Sequence, residues 1–153
     1  FLKGGEFCPG RPILFTFFKD KKNNYWLNIN VHYPHGDFNK NTKGISYILR
    51  TILLKEEKIR KIIYQCRIIL SGDFNNEIKD SLILYIFNPF STSQILLYQK
   101  EKKYKSCCSL KYGHPHKYDY LFDSYREPKE IEIIDDYKPA SDHKLIYFHL
   151  EEK

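Results

Sequence analysis

Five side chains in this sequence are of the types used for general acid–base catalysis and for holding a hard cation, and each sits where an apolar run meets a polar one. Asp73 and Asn75 place a carboxylate and a carboxamide two positions apart in Ser71-Gly72-Asp73-Phe74-Asn75, just after Arg67-Ile68-Ile69-Leu70. Strand alternation would turn both toward one side. Asp142 and His143 stand immediately before the apolar run Lys144-Leu145-Ile146-Tyr147-Phe148, and His32 closes Asn30-Val31-His32. Taken singly, each segment reads equally well as a turn or a surface loop. Their repetition at three run ends favours a site.

The elements that must present them can be read from periodicity. Pro12 to Phe18 and Tyr25 to Val31 are short β-rich runs around the polar turn Lys19-Asp20-Lys21-Lys22-Asn23-Asn24, an antiparallel hairpin that leaves His32 at a strand's end. Asn41 or Thr42 can cap a helix whose apolar residues Ile45, Ile48, Leu49, Ile52, Leu53, Ile59 and Ile63 follow helical spacing. Glu56 with Arg60 and Glu57 with Lys61 form i,i+4 pairs on its exposed side. Arg67 to Leu70 is a buried strand that delivers Ser71-Gly72-Asp73 to a loop, so strand, helix and strand alternate and an α/β fold follows. Ile78 to Phe87 is ambiguous between helix and strand. Further strands are expected at Tyr104 to Leu110, Tyr118 to Phe122, Glu130 to Ile134 and Lys144 to Leu150.

Asn30-Val31-His32, Gly72-Asp73-Phe74-Asn75 and Ser141-Asp142-His143, in this order, resemble three motifs of the endonuclease/exonuclease/phosphatase family. The resemblance implies the fold class: an α/β chain forming the C-terminal half of a DNase I-like four-layer sandwich, with mostly antiparallel sheet and flanking helices. By the same resemblance His32 hydrogen-bonds the scissile phosphate or helps the leaving group. Asp73 positions or deprotonates the attacking water, and Asn75 orients phosphate and water. Asp142 is a metal-associated carboxylate, and His143 contacts the phosphate or acts as the base. Tyr118-Asp119-Tyr120-Leu121-Phe122 resembles the strand whose aspartate bonds that histidine, with Asp123 a competing candidate four residues on. Gly10-Arg11-Pro12 resembles a segment in which the arginine reaches the substrate backbone.

The implied activity is Mg²⁺-dependent hydrolysis of a phosphodiester or phosphomonoester, nuclease-like, with Mn²⁺ as an alternative cation. Such a reaction needs an in-line water, a group to align it and positive charge on the phosphate. The family's metal-binding glutamate lies far upstream of the histidine strand, whereas only 31 residues precede His32. Residues 1–153 are therefore expected to form a partial domain carrying part of the site, active weakly or not at all by itself. The alternative is a catalytically inactive module of the same fold that binds nucleic acid or a partner. In either case the missing N-terminal half, or another chain, is expected to cover an exposed sheet face.

Composition bounds these expectations. At 153 residues, 42% hydrophobic and 16% aromatic, the chain can build one substantial core. A formal charge of +6 favours an anionic partner such as nucleic acid. No apolar run approaches the ~18 residues of a membrane span. The numbering begins at Phe1 and the sequence contains no Met, as expected of a fragment or a processed product. Cys8, Cys66, Cys107 and Cys108 form no CxxC pair, and reduced structural thiols are expected. His114-Pro115-His116 with Cys107-Cys108 lacks zinc-site spacing and reads as a loop. The run from Lys100 to Lys105, with Tyr98 and Tyr104, reads as a solvated hairpin.

Overall fold

A computed structural model describes residues 11–37, 40–44, 47, 51, 54–78, 104–107, 116–126, 128–134 and 142–152. Aromatic and β-branched alternation produces the expected hairpin, β1 (Leu14–Lys19) and β2 (Tyr25–His32), in antiparallel register from Leu14↔Asn30 to Lys19↔Tyr25. Asp20 closes its turn by accepting from the backbone N–H groups of Lys22 and Asn24 and from the indole of Trp26. The chain then crosses through a helical region to β3 (Arg67–Asp73), which runs parallel to β2. β4 (Asp119–Asp123) pairs antiparallel with β3, so the four-stranded sheet has the order β1-β2-β3-β4. β5 (Glu130–Ile134) and β6 (Leu145–His149) form a separate antiparallel pair.

The long helix expected from residue 41 to residue 63 is interrupted. Residues 40–44 are helical, but residues 54–56 turn, Glu56 is extended, and α1 (Glu57–Ile63) starts afresh. Lys55-Glu56-Glu57-Lys58 offers no apolar anchor over a whole turn, and helices in proteins draw most of their stability from such anchors. The cap differs as well: Asp37, rather than Asn41 or Thr42, receives the N–H of Lys40 on its carboxylate and that of Asn41 on its carbonyl. Asn41 instead donates from its buried side chain to the Pro34 carbonyl at 2.8 Å. Of the two expected i,i+4 pairs, Glu57–Lys61 is formed at 2.6 Å.

One sheet face carries the core. Leu27, Ile29 and Val31 of β2, Ile68 and Leu70 of β3, and Tyr120 and Phe122 of β4 are buried with Ile63 of α1. Each such aliphatic side chain contributes about 1.5–3 kcal/mol on burial. The alternate residues turn to the opposite face, on which Leu14 is 62% and Phe18 46% exposed. β3 runs on through Ser71, Gly72 and Asp73 instead of releasing them to a loop, which keeps Asp73 under the sheet's register. Tyr118 to Phe122, Glu130 to Ile134 and Lys144 to Leu150 form strands within a residue or two of expectation. From Tyr104 to Leu110, Cys107 makes single bridges to His116 and His143, and 108–110 lie outside the described residues, as do 79–87 of the ambiguous run.

Two cysteine observations matter. Cys66 is a buried thiol outside any disulfide, as expected, and its sulfur donates to the Ile62 carbonyl at 3.3 Å. Cys107 is disulfide-bonded, which overturns the expectation of reduced thiols throughout.

Candidate active site

The site is a row across one sheet. Parallel pairing of β2 with β3 sets His32 opposite Asp73, and antiparallel pairing of β3 with β4 sets Asp73 opposite Asp119. Cross-strand partners share a face, so these three side chains project together from the end at which the two parallel strands terminate. Gly72 makes this approach possible. Its φ is +138°, and a Cβ there would lie 1.9 Å from the Val31 carbonyl oxygen, so any side chain would push the two site-bearing strands apart.

Beyond Asp73 the chain leaves the sheet through Phe74, whose buried ring packs on Tyr33, Tyr120 and Phe122. Asn75 then takes a left-handed conformation, φ 47°, and donates its backbone N–H to Asp73 Oδ1 at 2.7 Å. This Asx-type turn, rather than strand alternation, brings Asp73 and Asn75 to the same cavity. The Asn75 amide nitrogen donates to Asp73 Oδ2 at 3.1 Å and to the Tyr33 carbonyl at 2.7 Å. Asn75 thereby fixes the Asp73 carboxylate and ties the ends of β2 and β3 together. Arg11 also donates to the Tyr33 carbonyl, which holds its guanidinium at the cavity's edge.

His143 arrives from the opposite direction, ahead of β6. Its Nδ1 lies 2.8 Å from Asp119 Oδ2 and its Nε2 3.6 Å from Asp73 Oδ2. His32 Nε2 lies 3.3 Å from the same Asp73 oxygen. Segment 104–107 supports this geometry. The buried Ser106 hydroxyl accepts the backbone N–H groups of Tyr118 and Asp119, both at 3.0 Å, and its carbonyl accepts that of Lys144 at 2.8 Å. Asp123, the competitor for Asp119, is excluded: it is fully buried in a bidentate pair with Arg67 at the far end of β4.

Electrostatics follow from these contacts. The Asp119 hydrogen bond raises the His143 pKa above the ordinary histidine value despite partial burial. Burial raises that of Asp73, against the opposing influence of the Asn75 N–H and both imidazoles. Burial, and then the Arg11 charge, lowers that of His32.

Arg11, His32, Asp73, Asn75, Asp119, Asp142 and His143, all seven residues picked out in the sequence, line a single open cavity of about 520 Å³. His35, Cys107 and Tyr118 line it too and were not foreseen. Ser106 acts by binding the backbone of distant segments with its hydroxyl and its carbonyl, for which a sequence carries no signal. Donor atoms of Asp73, Asp119 and His143, and separately of Cys107, Asp142 and His143, lie within 4.8 Å of one another. The Cys107 sulfur is committed to its disulfide, which leaves oxygen and imidazole donors for an ion. Among the described residues the exposed Asp142 carboxylate has no hydrogen-bond or ion-pair partner, so it is available to a hard cation.

No family model and no curated protein sequence matches the chain. Solved structures do. D. rerio TDP2 complexed with single strand DNA product aligns with a TM-score of 0.55 and 16% identity, over 90% of this chain and 60% of that one. Bacteroides thetaiotaomicron mannosyl-6-phosphatase Bt3783 aligns with a TM-score of 0.55 and 16% identity, over 95% of this chain and 58% of the other. An endonuclease/exonuclease/phosphatase family protein from Bacteroides thetaiotaomicron aligns at 0.50 and 14%, over 90% and 54%. The chain thus has the endonuclease/exonuclease/phosphatase, DNase I-like α/β fold, and it spans 60% or less of the length of these proteins.

Proposed function

We propose that this chain carries part of the active site of a metal-dependent phosphoester hydrolase, nuclease-like in its substrate. The observation that supports this most is the arrangement at Asp73: a half-buried carboxylate flanked by two imidazoles, one of them bonded to Asp119, in a cavity that also contains Arg11. Asp73 can accept a hydrogen bond from water and align it, while Asn75 keeps the carboxylate from rotating away. His143 can take or return a proton at Nε2, because Asp119 holds its Nδ1 and favours the imidazolium. Arg11 and His32 can donate to phosphate oxygens.

Mg²⁺ fits the donor chemistry, with Mn²⁺ as a substitute. Asp142 would contribute an oxygen ligand to it, and when bound it supplies positive charge against the phosphate. Nucleic acid is the preferred substrate class, supported by the formal charge of +6 and by the single-strand DNA product held by D. rerio TDP2. The domain reading is that residues 1–153 form the C-terminal half of the fold. The missing N-terminal half or another chain would then cover the face bearing Leu14 and Phe18 and complete the metal site. Among the described residues no helix is long and apolar enough to cross a membrane.

The test is Mg²⁺-dependent cleavage of a single-stranded oligonucleotide and of bis(p-nitrophenyl) phosphate, by the 153-residue chain and by any longer reading frame containing it. Asp73→Ala and His143→Ala are each expected to lower turnover about 10²–10⁴-fold. Activity surviving both changes would sink these roles, and robust turnover by the 153-residue chain would sink the partial-site reading. The chain's limited span of its structural relatives favours one second reading, an inactive binding module of the same fold. Binding of the oligonucleotide by the longer frame with no Mg²⁺-dependent turnover is its signature.

A further inference from the structure

The cavity wall on the β4 side is aromatic. Tyr118 lines the cavity beside Asp119, and its ring is stacked on that of His116 with centroids 4.9 Å apart and planes 2° apart. The pair is not an extension of the core: neither residue belongs to the buried cluster, and the His116 side chain is 39% exposed. Lys117, between them, turns the other way and lies over the rings of Tyr104 and Tyr120.

Both members of the stack are held by the backbone. The Tyr118 N–H donates to the Ser106 hydroxyl at 3.0 Å, and its carbonyl accepts from Phe74 at 2.8 Å. His116 exchanges both backbone hydrogen bonds with Cys107, at 3.0 and 3.1 Å, and Cys107 is further fixed by its disulfide. A flat ring set in this way loses little freedom when a second flat group lies on it.

The remaining lining divides by charge. Arg11, His32 and His35 contribute cationic or protonatable groups from the segments at the β2 end, and Asp73, Asp119 and Asp142 contribute carboxylates. The loop bearing His35 is anchored by donors to successive carbonyls, from Arg11 and Asn75 to Tyr33 and from Asn41 to Pro34. A phosphate held between these groups at Asp73 would have one of its substituents directed along the wall formed by Tyr118. Sugars can offer such a wall only C–H groups, and a choline headgroup only a cation. A nucleobase offers a π-face, and it is free to stack only when it is unpaired.

We propose that Tyr118, backed by His116, stacks on the nucleobase adjacent to the scissile phosphate, making this a site for single-stranded nucleic acid. The proposal rests on the phosphoester reading of the cavity, and its test separates the two. Fluorescein-labelled thymidine octamers, one intact and one with a single abasic tetrahydrofuran residue, are titrated with the 153-residue chain by anisotropy. A third octamer carries 2-aminopurine at the same position, whose fluorescence is quenched on stacking.

Unmodified protein is expected to bind the intact octamer about tenfold more tightly than the abasic one and to quench 2-aminopurine. Tyr118→Phe keeps both properties, whereas Tyr118→Leu brings the two affinities together and abolishes the quench. Equal affinity of the unmodified protein for both octamers, or a preference that persists in Tyr118→Leu, overturns the inference; neither the comparison nor the quench by unmodified protein depends on a variant folding. Base-dependent binding with no Mg²⁺-dependent cleavage by the longer reading frame removes the hydrolase reading and leaves the stacking site. Cleavage without base dependence does the reverse.

Discussion

The two ends of one sheet face use the same kinds of side chain to opposite effect. At one end His32, Asp73 and Asp119 lie in register beside an open cavity, and the Asp73 carboxylate is contested by two imidazoles and held above its ordinary pKa by burial. At the other end Arg67, opposite Trp26, is paired with Asp123, and both side chains are almost wholly buried. Arg67 Nε donates to both Asp123 oxygens at 2.9 and 3.1 Å, another guanidinium nitrogen reaches the Glu151 carbonyl, and the plane lies between the rings of Trp26 and Tyr125. Asp123 also receives the Tyr125 N–H. The opposed charges are paired with each other at this end, whereas at the cavity end the Asp142 carboxylate has no hydrogen-bond or ion-pair partner among the described residues. Carboxylates four residues apart on β4 thus serve different ends: Asp123 is buried against Arg67, and Asp119 holds the His143 imidazole beside the cavity.

The contrast can be broken most severely at the buried end. Asp123→Ala leaves the Arg67 guanidinium buried without its counter-charge, and a loss of about 3–5 kcal/mol is expected in chemical denaturation. Any loss of turnover in that variant should follow the unfolded fraction. Gly72→Ala attacks the link between the site-bearing strands. Its backbone conformation alone costs about 1–3 kcal/mol, and the contact with the Val31 carbonyl adds to this, so a lowered denaturation midpoint is expected.

Asp73→Asn should act in the opposite direction to Asp123→Ala. The folded Asp73 pKa is raised, so its contribution to stability is present below the ordinary carboxylate value and is lost as pH rises through the folded value. Removing the charge is therefore expected to raise the thermal midpoint at pH 7 while abolishing turnover. A lowered midpoint would mean that Asp73 is a structural group like Asp123.

The smallest effect concerns His143. Its folded pKa is also raised, so its stabilising contribution is complete below the ordinary value near 6.5 and is lost as pH rises through the folded value. A titration of thermal stability from pH 5 to 9 should show that decline, and Asp119→Asn should flatten it. If His143 is the base, the acid limb of the pH–rate profile lies above pH 6.5 and moves to lower pH in Asp119→Asn. An unmoved limb would assign the base to another group.

Residues that act through their own type and local turn were legible before any coordinates. Gly72, Asp73 and Asn75 announce a turn with acid and amide groups, and His32, Asp142 and His143 mark strand ends, because turn chemistry and strand termini leave local traces. The hairpin was equally legible from its alternation. The helix break at residues 54–56 was missed because periodicity continues across a polar turn that has nothing to pack against.

The order of residues along the chain carries the inventory: which acids, imidazoles and aromatic rings stand at strand ends, and that the strands and helix between them alternate. Only tertiary structure decided the rest. Strand register chose Asp119 over Asp123, the Arg67 pair removed Asp123 from contention, and the bridges of Cys107 to His116 and His143 set the aromatic wall and the histidine beside Asp73. The reason is physical: these are contacts between residues dozens of positions apart, and their energies depend on burial and register, neither of which a neighbouring residue in the chain records.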